Sequence, residues 1–343
     1  MLLQVNGATV EFIGDPHMGK KFNDVPLHRR GEREKLQLAE LVRLLNTGTH
    51  FNINVGDLFD TFDVEIDVLM AVFNAYRDAV KNNPLTQYYI ISGNHDISRN
   101  AATIHSFDVL KEMLRVFEPR IRVFTETTSV EVKAPTNQPD VYDDDYKYHF
   151  LFCPYSAFKT STQEVTPFCA EGFHYDLVVG HWDVGTIAGP DNLVPKEELF
   201  KVTDLIVTGH EHTAQEFKYG DKRIIKTGSM QPYSHSEDAE GIFYVTHTLE
   251  QVKLAMAANP DAYANKCLRL VLAPDEESPG AINCLQFAVK RIDTSIAEIY
   301  EANLDGDFSF SGIFYETFKE NGLSTEVTDK YFDKYKQEAA HAE

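Results

Sequence analysis

Short apolar runs alternate with amphipathic ones along the first 120 residues, and several of the apolar runs end in the same way. Val10-Glu11-Phe12-Ile13 is followed by Gly14-Asp15, Phe51 to Val55 by Gly56-Asp57, and Tyr88 to Ser92 by Gly93-Asn94. Further along, Leu177-Val178-Val179 leads into Gly180-His181 and Leu205 to Thr208 into Gly209-His210. Near-continuous Val/Ile/Leu/Phe segments predict strands buried on both faces. A glycine at each end is expected to let the chain leave the sheet sharply. Between the first strands, Arg33 to Leu45, Val64 to Val80 and His105 to Phe117 repeat apolar residues at helical spacing, which makes a βαβ pattern. Asp15, Asp57, Asn94, His181 and His210 would then share one sheet edge, where open α/β sheets place their ligands.

Beyond residue 120 the period changes. Ser129 to Pro154 predicts two alternating strands around a polar loop, Ala134 to Asp145, whose Asp143-Asp144-Asp145 run lacks the spacing and terminal Glu of a calcium loop. Gln215 to Tyr219, Arg223 to Lys226 and Gly241 to Val245 predict further strands. Near residue 250 the pattern shifts again. Glu250 to Asn265 reads as an Ala-rich, Pro-broken connector, followed by strands at Cys267 to Leu272 and Leu285 to Arg291. The runs Ile313 to Glu320 and Val327 to Ala340 predict two short helices, too small to form a core alone and rich in aromatics, as a docking element would be.

Composition narrows the class. At 343 residues with 43% hydrophobic content, the chain can bury one large core plus small appendages. No stretch approaches the ~20 apolar residues of a membrane span. The opening Met1 to Gly7 lacks the basic and apolar regions of a signal peptide, and its Asn6-Gly7 suggests a hairpin instead. Cys153, Cys169, Cys267 and Cys284 are scattered, as in a reduced, cytoplasmic protein. The net charge of −21 argues against a broad nucleic-acid-binding surface of the chain's own, though bound cations could supply positive charge locally.

The candidate chemistry lies in Asp15-Pro16-His17, Gly56-Asp57-Leu58-Phe59-Asp60, Gly93-Asn94-His95-Asp96, Gly180-His181 and Gly209-His210-Glu211-His212. Carboxylate, imidazole and amide oxygen without thiolate suit Mn²⁺, Fe²⁺ or Zn²⁺ better than a structural Cys-rich zinc site. In this order and spacing the elements resemble the calcineurin-like metallophosphoesterase superfamily. Asp15 to Gly19, Asn23 to Leu27, Gly56 to Asp60 and Thr227-Gly228-Ser229-Met230-Gln231-Pro232 are similar to the SbcD-type DNA repair nucleases. Val179 to Trp182 and the helical tail look most like recombination endonuclease subunits of large tailed bacteriophages.

The resemblance implies a four-layer α/β/β/α sandwich over residues 1–250, a small α+β cap over 251–300 and a helical tail over 301–343. It implies two divalent metal ions, Mn²⁺ in the first place with Mg²⁺, Fe²⁺ or Zn²⁺ as substitutes. Asp15, His17, Asp57 and His212 would hold one ion, and Asp57, Asn94, His181 and His210 the other, with Asp57 bridging. His95 would face the scissile phosphate, while Asp96 and Asp60 would orient His95 or the ligands. The implied activity is exonucleolytic and endonucleolytic DNA cleavage beside an SMC-like, SbcC-type ATPase docked through 301–343, in the cytoplasm (a host's if phage-encoded). A homodimer through 64–80 and 105–117, with Phe73 or Leu110 toward the partner, is expected as well. Two other readings stand beside this one: a stand-alone phosphodiesterase on cyclic nucleotides or small phosphoesters, and a catalytically silent subunit of the ATPase complex. Trp182 is expected to pack behind the site, and His105, His174 and His235 to be structural or exposed.

Overall fold

The computed structural model describes residues 1–292 apart from 101–102, 136–141, 171, 185–191 and 239. The helices expected at 313–320 and 327–340 lie outside the described residues, as does the ATPase-docking segment 301–343. Two sheets form the body. The first has the order β1 (Leu2–Val5), β2 (Ala8–Ile13), β3 (Phe51–Asn54), β4 (Gln87–Ile91) and β5 (Ile121–Phe124). Asn6 and Gly7, both at positive φ, close the β1–β2 hairpin, and the other pairings of this sheet are parallel. The second comprises β6 (Thr128–Pro135), β7 (Tyr142–Cys153), β8 (Leu177–His181), β9 (Leu205–Gly209), β10 (Gln215–Tyr219) and β11 (Lys222–Lys226). Its order is β10-β11-β9-β8-β7-β6.

Burial of these strands on both faces accounts for their apolar runs. Phe12, Ile53, Tyr89 and Ile91 of the first sheet meet Phe150, Phe152, Val179 and Val207 of the second in one central core. Residues of the other parity on the first sheet, Ile13, Tyr88 and Ile90, pack under α1 (Glu32–Leu45), α2 (Ile66–Asn82) and α3 (Ser106–Phe117). The far face of the second sheet, with Leu151, Val178 and Ile206, is covered by α4 (Ser161–Val165), α5 (Lys196–Leu199) and Trp182. The result is the four-layer α/β/β/α sandwich. Trp182 sits behind the strand ends, buried against Gly180, as expected.

Several expectations change, and the Asp143-Asp144-Asp145 run expected in a polar loop lies within β7. Leu110 is fully buried in the helix–sheet core, and Phe73 is packed against that core with its ring edge-on to Phe117, so neither is the exposed apolar group of α2 and α3. That place belongs to Ile66 and Met70, one turn apart on α2, and to Val109 and Val116 on α3. The Ala-rich connector after 250 contains a helix, α6 (Leu249–Ala258), started by a capping box between Thr248 and Gln251. The expected strand from Gly241 begins later, as β12 (Tyr244–Thr248), because the Asp238 carboxylate takes the N–H groups of Ile242, Phe243 and Tyr244.

β12 belongs to a third, all-parallel sheet with β13 (Cys267–Leu272) and β14 (Gln286–Arg291), so this small unit takes in residues before 250. It packs α6 on one face and is tied to the body by Arg29, which donates to the Ala264 carbonyl, and by Gln286, which donates to the Asn23 carbonyl at 2.7 Å. Among the described residues no helix is long and apolar enough to cross a membrane.

Candidate metal centre

The C-terminal ends of β2, β3, β4, β8 and β9 converge, and with them the residues singled out from the sequence. Backbone strain falls on the ligand candidates themselves. Asp15, His17, Asp57 and His210 all have left-handed φ (28°, 47°, 46° and 77°), a region costly for residues with a Cβ. Of the five strand-end glycines only Gly56 is left-handed (106°), so the others do not serve mainly as turn formers. They are required by close approach: a Cβ on Gly93 would collide with the Asp57 side chain, and one on Gly209 would lie 2.5 Å from Asp15 Oδ1.

The Asp57 carboxylate lies between the two halves of the site. Its Oδ1 accepts the His95 backbone N–H at 2.8 Å, while Oδ2 lies 3.3 Å from His181 Nε2 and 3.8 Å from His17 Nε2. Asp57 thus belongs to two clusters able to hold a cation, one with His17 and His95 and one with His181 and His210. His17 Nε2 and His212 Nε2 are 3.0 Å apart, and Asp15 Oδ2 is 4.0 Å from the latter. On the other side Asn94 Oδ1 sits 3.0 Å from His181 Nε2 and 2.8 Å from His210 Nδ1. All seven ligand candidates therefore meet.

Each of the four imidazoles has an oxygen near its outward nitrogen, although among the described residues only His181 makes a hydrogen bond there and His17 Nδ1 is left without one. Val55 C=O is 2.9 Å from His181 Nδ1, Asp60 Oδ1 is 3.3 Å from His17 Nδ1, Asp183 Oδ1 is 3.2 Å from His210 Nε2 and Glu237 Oε1 is 3.4 Å from His212 Nδ1. Such acceptors fix the tautomer and leave the inward nitrogen as a lone-pair donor, the usual support of a metal-binding histidine. Sequence reasoning missed Asp183 and Glu237. Asp183 stands two residues beyond a flagged histidine, a usable signal, whereas nothing around Glu237 marks it.

The electrostatics call for cations. Both Asp15 carboxylate oxygens are buried without a hydrogen-bond partner. Burial, opposed by His181, pushes the Asp15 pKa up to about 7. At Asp57 burial works in the same direction, but His181 outweighs it and holds the pKa below the usual carboxylate range. His181 is lifted to about 9: burial disfavours its charge, and the Asp57 carboxylate more than compensates. A buried set of unpartnered oxygens and converging imidazole nitrogens fits divalent metal ions well.

Asp60 and Asp96 occupy places other than direct support of the His95 ring by a carboxylate. The His95 ring donates from Nδ1 to the Asp60 backbone carbonyl at 2.7 Å, and the Asp60 carboxylate goes to His17 and Lys20. Asp96 is fully buried and accepts the N–H groups of Phe59 (2.8 Å), Gly93 (2.8 Å) and Leu58 (3.2 Å). It stitches the Asp57 loop to the His95 loop and leaves the imidazole alone. His95 is exposed at the mouth, its ring 4.8 Å from that of His17. With Nδ1 committed to a carbonyl, Nε2 is the nitrogen presented outward.

A family model described as calcineurin-like phosphoesterase matches residues 8–214, which run from β2 through both flagged histidines of Gly209-His210-Glu211-His212. The chain belongs to the calcineurin-like phosphoesterase family. It is therefore a metal-dependent phosphoester hydrolase, and the residues that converge at the strand ends are its candidate metal centre. A search of curated proteins finds no match. Among solved structures, the protein TT1561 of Thermus thermophilus is 11% identical, with 64% of this chain and 89% of that one covered at a TM-score of 0.41. A dimetal phosphatase from Danio rerio is also 11% identical, with 64% and 87% covered at 0.38. An archaeal phosphodiesterase is 14% identical, with 66% and 87% covered at 0.34.

Proposed function

We propose that this calcineurin-like phosphoesterase is a Mn²⁺-dependent DNA nuclease of SbcD type, acting with an SMC-like, SbcC-type ATPase docked through residues 301–343. The observation that carries the reading is the seat of the 227–238 segment, whose first six residues bear the SbcD resemblance and which lies outside the matched family model. A Cβ on Gly14 would strike the Gly228 carbonyl, Tyr233 Oη donates to the carbonyls of Pro16 and Asp15, and Glu237 reaches His212. The segment that begins with the SbcD-like residues thus packs against the loop of Asp15 and His17, which supports this reading.

Asp15, His17, Asp57 and His212 would hold one divalent ion and Asp57, Asn94, His181 and His210 the other. When bound, such ions polarise the phosphoryl group and lower the pKa of water. The chain's own part is to orient the ligands and to present His95 Nε2 to the phosphodiester, where it stabilises developing charge or protonates the leaving oxygen. The exposed apolar residues of α2 and α3, among them Ile66, Met70, Val109 and Val116, supply the dimer face in this reading. With a net charge of −21, the chain relies on its ATPase partner for most of the basic surface that holds DNA.

The test is cleavage of linear DNA by the purified chain with Mn²⁺, with and without the ATPase, beside cyclic nucleotides and a small aryl phosphodiester. DNA cleavage that increases with the ATPase is expected. Turnover of cyclic nucleotides with no attack on DNA would replace the nuclease by a stand-alone phosphodiesterase, and inactivity on all substrates would make the chain a silent subunit.

A further inference from the structure

The turn between β11 and β12 carries two adjacent carboxylates that face opposite ways. Glu237 turns toward the metal centre, where Oε1 lies 3.4 Å from His212 Nδ1. Its other oxygen accepts the Tyr233 backbone N–H at 2.9 Å, and Ser234 Oγ donates to Oε1 at 2.9 Å, so the carboxylate is fixed from behind before it meets the imidazole. Asp238 turns toward the small sheet and takes three successive N–H groups, those of Ile242, Phe243 and Tyr244, at 2.9, 2.5 and 2.6 Å. Those residues lead into β12.

The same turn is anchored at both sides. Arg33 of α1 is fully buried, donates to Gln231 Oε1 and the Pro232 carbonyl at 3.3 Å, and lies over the rings of Phe22 and Phe243 at 4.5 and 4.8 Å. Tyr244 Oη returns to the Tyr233 carbonyl at 2.9 Å. A continuous chain of contacts therefore runs from the small sheet through Asp238 and Glu237 to His212. Among the described residues the His181/His210 half has no such link: its outward acceptors are Val55 C=O and Asp183.

We propose that Glu237 is a positioning residue for His212 and that, through Asp238, the seating of the β12-β13-β14 sheet sets the affinity of the His17/His212 half of the metal centre alone. The inference rests on the metal-centre reading and deepens it. A partner that moves the small sheet would then change one metal site while leaving the other intact.

The experiment is two-site Mn²⁺ calorimetry on the full-length chain, which needs no substrate. Glu237→Ala should weaken one site about 10–100-fold, the loss usual when the support of a ligating histidine is removed. Glu237→Gln, which keeps an oxygen acceptor, should restore most of that affinity. Adding Glu237→Ala to His212→Ala should change nothing more, whereas adding it to His210→Ala should cost the remaining site, since only coupled residues depart from additivity. Asp238→Ala should weaken the same site by a smaller factor, with the second site serving as the internal check that the body is folded. Wild-type affinity at both sites in Glu237→Ala, or equal weakening of both, would overturn the positioning role. An unchanged Asp238→Ala would overturn the link to the small sheet. A wild-type chain that binds fewer than two ions would overturn the metal-centre reading, an outcome distinct from either.

Discussion

The two halves of the metal centre are supported by different parts of the molecule. His181 ends β8, is fully buried, and is held by the main chain of the loop after β3. His210 follows β9 directly and meets Asn94 from the loop after β4. This half is a product of the two sheets, and whatever folds the sandwich assembles it. His17 and His212 depend instead on loops and on the turn before β12, through Asp60, Tyr233 and Glu237. Gln37 of α1 adds hydrogen bonds of 2.8 Å to the carbonyls of Pro16 and His17, pinning the Asp15-Pro16-His17 segment, in which Asp15 and His17 are left-handed. One half is thus fixed by the fold, and the other is adjustable from outside it.

Among the described residues Asp57 belongs to both clusters able to hold a cation, so its loss should erase the contrast. Asp57→Ala is expected to reduce phosphoester hydrolysis by on the order of 10³-fold or more and to weaken both Mn²⁺ sites together. Calorimetry on the variant decides it: two tight sites remaining would end the bridging role of Asp57. His95→Ala should separate chemistry from binding. It is expected to lose ~10²–10⁴-fold in rate while both metal sites persist. If calorimetry shows the Asp57/His17 site emptied as well, His95 is a ligand, as its place in that cluster would then require.

Much of this centre was legible because strand ends are written in the sequence as an apolar run, a glycine and a ligand, and buried parallel strands admit little else. Asp15, Asp57, Asn94, His181 and His210 were found that way, and His17 and His212 by their alternation with a flagged residue. The residues that orient them were not. Glu237 lies in Ser234-His235-Ser236-Glu237, which reads as a polar turn, and its role depends on how that turn folds back over His212. Asp60 and Asp96 were flagged, but whether a carboxylate or a carbonyl meets His95 is a matter of side-chain direction that spacing cannot supply. The α2–α3 face shows the same limit. The apolar stripe was visible, yet Leu110 faces the sheet and Val109 faces out, a distinction of one residue on a helix.

Protons and metal ions compete for the centre, and the two halves should feel this unequally. His181 holds its proton up to about pH 9 because the Asp57 carboxylate outweighs the cost of burial, and a metal ion must displace that proton. Asp15 adds a second proton below about pH 7. A raised pKa means that the unloaded centre binds protons more tightly, so metal affinity falls as pH drops. Between about 7 and about 9 the His181/His210 half should gain up to about tenfold in affinity per pH unit, the slope for one displaced proton. Isotherms collected across that range test it, and a flat His181/His210 affinity would show that His181 is already neutral there.

The smallest effect expected is that of Asp183→Asn, the counterpart of removing Glu237 in the other half. Asp183 Oδ1 is 3.2 Å from His210 Nε2, and its backbone is pinned by a pair of hydrogen bonds: its N–H donates to the Asn192 carbonyl at 3.0 Å and its carbonyl accepts the Val194 N–H at 2.9 Å. Asparagine keeps the size and an oxygen acceptor but removes the charge that helps hold the imidazole, so the ring should stay in place with a less basic inward nitrogen. A loss of roughly tenfold at the His181/His210 site follows from the lower end of what such supports contribute. The His17/His212 site should be untouched, and so should the small sheet, because among the described residues Asp183 shares no hydrogen bond with the turn that carries Glu237. Two-site calorimetry of Asp183→Asn and Glu237→Ala, alone and combined, reads all of this in one series. If the halves are independently supported, the combined variant shows each site weakened by its own single-variant factor. A combined loss that departs from that product would mean that Asp57 transmits strain across the centre, and the division into a sheet-built half and an adjustable half would have to be given up.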